Sequence, residues 1–149
     1  MNVRTICTGS FTLPLPPETA MPLFTPEGER RWAGAEWDPS YPIPEAAADD
    51  SAPGTVFTTE SDGGRAIWTV VERRPNAVRY ARVVPGRIAG TIAVTCAPSA
   101  SSSACRVTVE YDVTSLGPDG VEFVQDLERD YDGFLESWRD EIVSALELV

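Results

Sequence analysis

Residues 118–149 read PDGVEFVQDLERDYDGFLESWRDEIVSALELV, and their apolar positions decide the fold. Val124, Leu127, Tyr131, Phe134, Trp138, Ile142, Ala145 and Val149 follow spacings of 3, 4, 3, 4, 4, 3 and 4. That period sets them on one stripe of an amphipathic helix, with Glu122, Arg129, Glu136, Arg139, Asp140 and Glu147 mostly on the other side. Pro118 and Asp119 supply a start signal. A helix of about 28 residues is roughly 42 Å long, so it must lie along most of a domain of this size. Tyr131, Phe134 and Trp138 need a wide apolar surface, and a curved antiparallel sheet offers one.

The preceding chain supplies that sheet. Arg4 to Leu13 reads as a strand stopped by Pro14, Pro16 and Pro17. Thr55–Glu60, Arg65–Arg73, Val78–Val84, Ile88–Ala97 and Cys105–Ser115 are rich in Val, Ile, Thr, Tyr and Trp. Short turn chemistry separates them: Ser-Asp-Gly-Gly at 61–64, Arg-Pro-Asn at 74–76, Pro-Gly at 85–86 and a serine-rich run at 99–103. Such separators favour an antiparallel meander over βαβ units. Pro17-Glu18 and Thr25-Pro26 each open a short helix, Thr25 as a cap and Pro26 at the first helical position. Residues 33–54, rich in Pro, Asp and Ala, form a long surface loop of the kind that covers a site. The expected architecture is α+β, a sheet of about six strands wrapped around one long C-terminal helix, with residues 1–149 as a single domain.

Composition narrows the function. Twelve basic and 23 acidic residues give a net charge of −11, which argues against a nucleic-acid partner. The chain has no histidine, so a Ser-His-Asp triad, a His-ligated zinc and an imidazole base are all excluded. No stretch approaches the roughly 18 apolar residues of a membrane span, and the N-terminal residues lack the apolar run of a signal peptide. Cys7, Cys96 and Cys105 form no CxxC pair. A Cys96–Cys105 bridge across a hairpin is conceivable, but three buried or half-buried free thiols in a reducing cytoplasm is the preferred reading. Glu27, Glu29, Glu36 and Asp38 form an acidic cluster read as solvated; no metal and no cofactor is expected.

Particular residues then carry a resemblance. Phe11-Thr12-Leu13 with Pro17, Leu23-Phe24-Thr25-Pro26-Glu27-Gly28-Glu29, Trp32 with Trp37-Asp38-Pro39 and Tyr41, and Gly54-Thr55-Val56-Phe57-Thr58-Thr59 come first. Ile67-Trp68-Thr69-Val70, Thr108-Val109-Glu110-Tyr111, Thr114-Ser115-Leu116, Gly120 and the Phe134/Trp138 helix follow. In this order they resemble the START-like (SRPBCC) superfamily of polyketide cyclases, lipid-transfer proteins and birch-pollen-allergen relatives, and in particular a bacterial subgroup. The resemblance covers essentially the whole chain. It implies a helix-grip fold with a cavity between sheet and helix for an apolar or aromatic small molecule, which some members carry and others cyclise or dehydrate. The missing histidine separates this chain from the better-understood cyclases.

Strand parity sorts part of the lining. Cys105, Val107, Val109, Tyr111 and Val113 share one face, leaving Glu110 and Asp112 on the solvent side. Ile88, Ile92, Val94 and Cys96 make the apolar face of the strand before. Residues 65–73 carry apolar side chains on both parities; the resemblance implies that Trp68 points inward, with Glu72 toward the rim. In 78–84, Tyr80 and Arg82 share a parity, so an inward Tyr80 brings a cation with it, in need of Glu72, another acid or an anionic ligand. The simpler alternative is an exposed Arg82 paired across a strand edge. Trp68, Tyr80, Tyr111, Phe134 and Trp138 read as a ligand box or as core packing, and Trp37 with Tyr41 as a mouth or as a loop anchor.

The expected function is binding of a small hydrophobic or aromatic molecule, with Trp37, Trp68, Tyr80, Arg82, Tyr111, Phe134 and Trp138 as ligand-binding residues. A polyketide cyclase/dehydrase-type enzyme, with a cavity tyrosine or Glu72 moving protons and Arg82 stabilising an enolate, is the first alternative. A protein-interaction module of the heat-shock ATPase activator type is the second, and it requires a filled interior. A homodimer is compatible with the sheet edges and the long helix.

Overall fold

A computed structural model describes residues 1–61, 63–101 and 103–148. Its strands are β1 (Arg4–Leu13), β2 (Val56–Ser61), β3 (Gly64–Arg74), β4 (Ala77–Val84), β5 (Ile88–Pro98) and β6 (Cys105–Ser115). They form one antiparallel sheet in the order β1-β6-β5-β4-β3-β2. The connection from β1 to β2 therefore crosses from one edge of the sheet to the other. It does so through α1 (Pro17–Ala20), a 3₁₀ turn (Met21–Phe24), α2 (Pro26–Glu29) and the long loop. Within the loop, Pro44–Asp49 forms another 3₁₀ turn and Ser40 bridges to Thr58 of β2. Thr25 caps α2, its hydroxyl accepting from the Gly28 N–H at 3.1 Å.

The expected single C-terminal helix is two: α3 (Pro118–Arg129) and α4 (Tyr131–Ala145). Asp130 breaks the run at φ −142° and ψ 54°, and its carboxylate caps α4 by accepting from the Gly133 N–H at 3.2 Å. Because α4 restarts with its own rotation, Leu135 joins Tyr131 and Ile142 as a buried contact. Phe134 and Trp138 fall to the half-buried flank, Ala145 is exposed, and Val149 lies outside the described residues. Helix α3 lies over β6 and α4 over β1. The α4 crossing is close at Gly9, where a Cβ would come within 2.7 Å of Leu135 Cδ1. Tyr131 secures it by donating to the Val109 carbonyl at 2.7 Å.

The inward face of the sheet and the helices enclose the core. Cys105, Val107, Val109, Tyr111 and Val113 of β6 are buried, as are Ile88, Ile92, Val94 and Cys96 of β5. Glu110 and Asp112 face outward, and Asp112 pairs with Arg4 of β1 at 2.7 Å. Burial also settles the ambiguous strands: Ala66, Trp68 and Val70 point in while Ile67 and Val71 point out, and Val78, Tyr80 and Val84 point in. The three thiols are free and buried. Among the described residues no helix is long and apolar enough to cross a membrane.

Candidate functional site

Between the sheet and the C-terminal helices lies a cavity of two lobes that share Arg82 and Tyr111. The outer lobe, about 700 Å³, is bordered by Gly63, Arg87, Phe123, Leu127 and Phe134, with exposed Asp119, Glu122 and Asp126 at its rim. The inner lobe, about 240 Å³, lies among Phe24, Trp32, Trp37, Trp68, Tyr80 and Trp138. All four tryptophans of the chain border it.

Hydrogen bonds fix this lining before any ligand arrives. Trp32 Nε1 donates to the Leu23 carbonyl, Trp37 Nε1 to the Pro26 carbonyl, both at 2.8 Å, and Trp68 Nε1 to Thr59 Oγ1 at 3.0 Å. Tyr80 donates its hydroxyl proton to the Phe24 carbonyl at 2.7 Å. The rings then lean on one another. Phe57 and Trp68 stack at 5.4 Å with planes 9° apart, and Trp37 meets Trp68 edge-on at 5.6 Å. On the helix side, Tyr111 meets Phe134 edge-on at 5.5 Å, and Trp32 and Trp138 approach to 5.5 Å. Trp37 thus serves as loop anchor and as wall at once, and Tyr41 ties the same loop down by donating to Glu27 Oε2 at 2.6 Å.

Arg82 does not pair across a strand edge. Strand parity carries it inward beside Tyr80, and its guanidinium carbon sits 5.0 Å from the Trp68 ring centroid and 5.8 Å from that of Phe123. Its Nε is out of solvent and has no hydrogen-bond partner among the described residues. Burial lowers its proton affinity, and the nearby charge of Arg87 lowers it further. Glu72 is not the partner. The ladder shifts between Val70 and Glu72, which turns Glu72 outward, where it pairs with Arg74 at 2.9 Å.

Two acids border the inner lobe, the exposed Glu141 of α4 and Glu29, and Glu29 is the more buried of the two. It comes from the cluster read as solvated, and the short helix α2 divides that cluster. Glu27 points out to Arg30 and Tyr41, Asp38 pairs with Arg30 at 2.7 Å, and Glu29 borders the inner lobe. Burial pushes the Glu29 carboxyl up to about 8, and the charge of Asp50 adds to the rise. Tyr80 and Tyr111 are held above the ordinary tyrosine range, first by burial. At neutral pH the cavity therefore offers a largely protonated carboxyl, two protonated phenols and a cation. That set can donate hydrogen bonds, hold an oxyanion and exchange one proton.

All of Trp37, Trp68, Tyr80, Arg82, Tyr111, Phe134 and Trp138 border the two lobes. Glu29, Trp32, Phe24 and Phe123 border them too; the sequence reads Glu29 as solvated, and Phe24, Trp32 and Phe123 are not among its expected ligand-binding residues.

Residues 4–142 match the family described as polyketide cyclase/dehydrase and lipid transport. The chain belongs to that family. Solved structures agree on the polyketide cyclase/dehydrase fold. The Mll3558 protein from Rhizobium loti superposes with a TM-score of 0.67 at 19% identity, covering 95% of this chain and 99% of that one. Norcoclaurine synthase from Thalictrum flavum, solved with dopamine and hydroxybenzaldehyde, gives 0.67 at 12% identity, covering 99% and 90%. CalU16 from Micromonospora echinospora gives 0.55 at 12% identity, covering 97% and 90%. At these identities the likeness is one of fold. No curated protein matches the chain in a sequence comparison.

Proposed function

We propose that this polyketide cyclase/dehydrase-family protein binds a small, flat hydrophobic or aromatic molecule between its sheet and C-terminal helices. The observation that carries the reading is the convergence of all four tryptophans on the inner lobe. Large aromatics that serve only as core close up to the density of an organic crystal. Here they frame a space of about 240 Å³, with three indole N–H groups already bonded to the protein. Apolar burial would supply the affinity, at about 25 cal/mol per Å² before ordering costs. The aromatic pair in norcoclaurine synthase gives a precedent for such guests in this fold. A module of the heat-shock activator type would need a filled interior, and two open lobes favour a ligand instead. Three free thiols suit a reducing cytoplasm.

Tryptophan fluorescence titrated with flat aromatic polyketides, flavonoids and fatty acids tests this reading. Saturable quenching at micromolar ligand, lost when Trp68→Phe is combined with Tyr80→Ala, is the expected result. A folded protein that responds to none of the panel contradicts it.

Glu29 favours a second reading, cyclase/dehydrase-type catalysis. The ionised fraction of a carboxyl poised at about 8 can take a proton from carbon and, once protonated, return it to a departing hydroxyl, while Arg82 steadies the intervening enolate. Conversion of a bound polyketide, abolished by Glu29→Gln with binding retained, would establish it; unchanged conversion in that variant would remove Glu29 from the chemistry.

A further inference from the structure

Two arginines share one aromatic ring inside this cavity. The guanidinium carbons of Arg82 and Arg87 each lie 5.8 Å from the Phe123 centroid, and both side chains border the outer lobe. Both Nε atoms are out of solvent, with no hydrogen-bond partner among the described residues. Among those residues no ion pair reaches either guanidinium. Of the acids nearby, Asp126 pairs with Arg129, Glu72 with Arg74 and Asp112 with Arg4, while Asp119 and Glu122 stand exposed at the rim of the lobe without bonding to either arginine. Two like charges against one ring repel, and a buried Nε–H with no acceptor on each of them is costly. The arrangement makes physical sense when a planar anion completes it, since a guanidinium fork matches a carboxylate and remains charged at any working pH.

Resting on the ligand-binding reading above, we propose that the occupant of the cavity is itself an anion. It is a flat apolar ring system bearing a carboxylate, with the carboxylate between Arg82 and Arg87 and the rings in the inner lobe. Arg82 belongs to both lobes, so one molecule can meet the cation and the tryptophan walls together. Glu29 stands on the inner-lobe wall and is mostly protonated at neutral pH, so it does not repel such a guest. The net charge of −11 rules out long-range attraction of an anion. The preference must then be local to these two side chains.

Calorimetric titration at pH 7 with benzoate, 2-naphthoate and anthracene-2-carboxylate, each beside its methyl ester, tests the proposal. We expect at least one acid to bind about tenfold tighter than its ester, or more. Arg82→Gln should bring that pair to within about threefold, by weakening the acid much more than the ester, and Arg87→Gln should narrow it partly. If Arg82→Gln does not fold, Arg87→Gln decides by the same ratio. Esters that bind as tightly as acids, or an acid preference that survives in the folded variants, would overturn the proposal while leaving the ligand-binding reading intact. Failure of every acid and every ester to bind the folded protein would overturn both.

Discussion

The guanidinium of Arg82 lies over the Trp68 ring, its central carbon 5.0 Å from the centroid, on the inward face of the sheet. A cation on a ring gains about 0.5–2 kcal/mol, whereas a buried guanidinium nitrogen left without an acceptor, as Arg82 Nε is, costs about 1–3. For Arg82 the balance is unfavourable. Arg82→Met keeps the length and the ring contact and removes the charge, so it should raise stability by about 1 kcal/mol or more. Urea midpoints at unchanged slope measure it; a loss of about 1 kcal/mol would show that the charge of Arg82 stabilises the fold.

Glu29 makes stability depend on pH in the direction opposite to most carboxylates. Its folded value of about 8 exceeds the ordinary 4.5, so between those values the folded chain holds a proton that the unfolded chain has released. Stability therefore falls as pH rises through that window, by about 2–4 kcal/mol, toward the lower figure because part of the residue meets solvent. Asp50 strengthens the effect, while Tyr80 and Tyr111 stay protonated throughout. Asp112, held low by Arg4, acts only at more acid pH, where its contribution is lost as pH falls. Denaturation at pH 5.5 and pH 8 should show the decline in the parent and a nearly flat response in Glu29→Gln.

Gly120 admits no side chain. A Cβ there would lie 1.7 Å from the Arg87 carbonyl oxygen and 2.8 Å from its carbon, both backbone atoms. The same carbonyl accepts from the Leu116 N–H at 2.7 Å, so it cannot move aside freely. Gly120→Ala should cost about 2 kcal/mol or more by forcing α3 off the β4–β5 turn, and calorimetric melting would register it. Parent-like stability would mean that α3 is looser here than its packing implies.

Tyr80→Phe removes a buried donor and leaves the Phe24 carbonyl without it. A loss of about 1–2 kcal/mol is expected, with the fold retained. A neutral result in chemical denaturation would show that water replaces the phenol.

The strands were legible because turn chemistry brackets them, and in β6 a clean alternation gave the inward face from Cys105 to Val113. In β3 apolar Ile67 and Val71 stand on the outward face, so parity alone could not choose, and the shift after Val70 carries Glu72 away from Arg82. The helix break escaped notice because the apolar spacing runs unchanged through Asp130, although Asp130 with Gly133 three residues later is itself a cap signal. Glu29 was hidden among four similar acids. Its signal lay in Thr25-Pro26: once these start a helix, positions 27 and 29 point about 200° apart, and only one of them can face solvent.

The central claim is an aromatic guest in the inner lobe, and the four indole N–H resonances of the ¹⁵N-labelled protein report on it directly. Titration with 2-naphthoate should shift the signals of Trp37, Trp68 and Trp138 together along one saturable curve, with the backbone amides of Arg82 and Tyr111 following. Indole signals that stay fixed while shifts spread over outward residues such as Ile67 and Val83 would contradict the account.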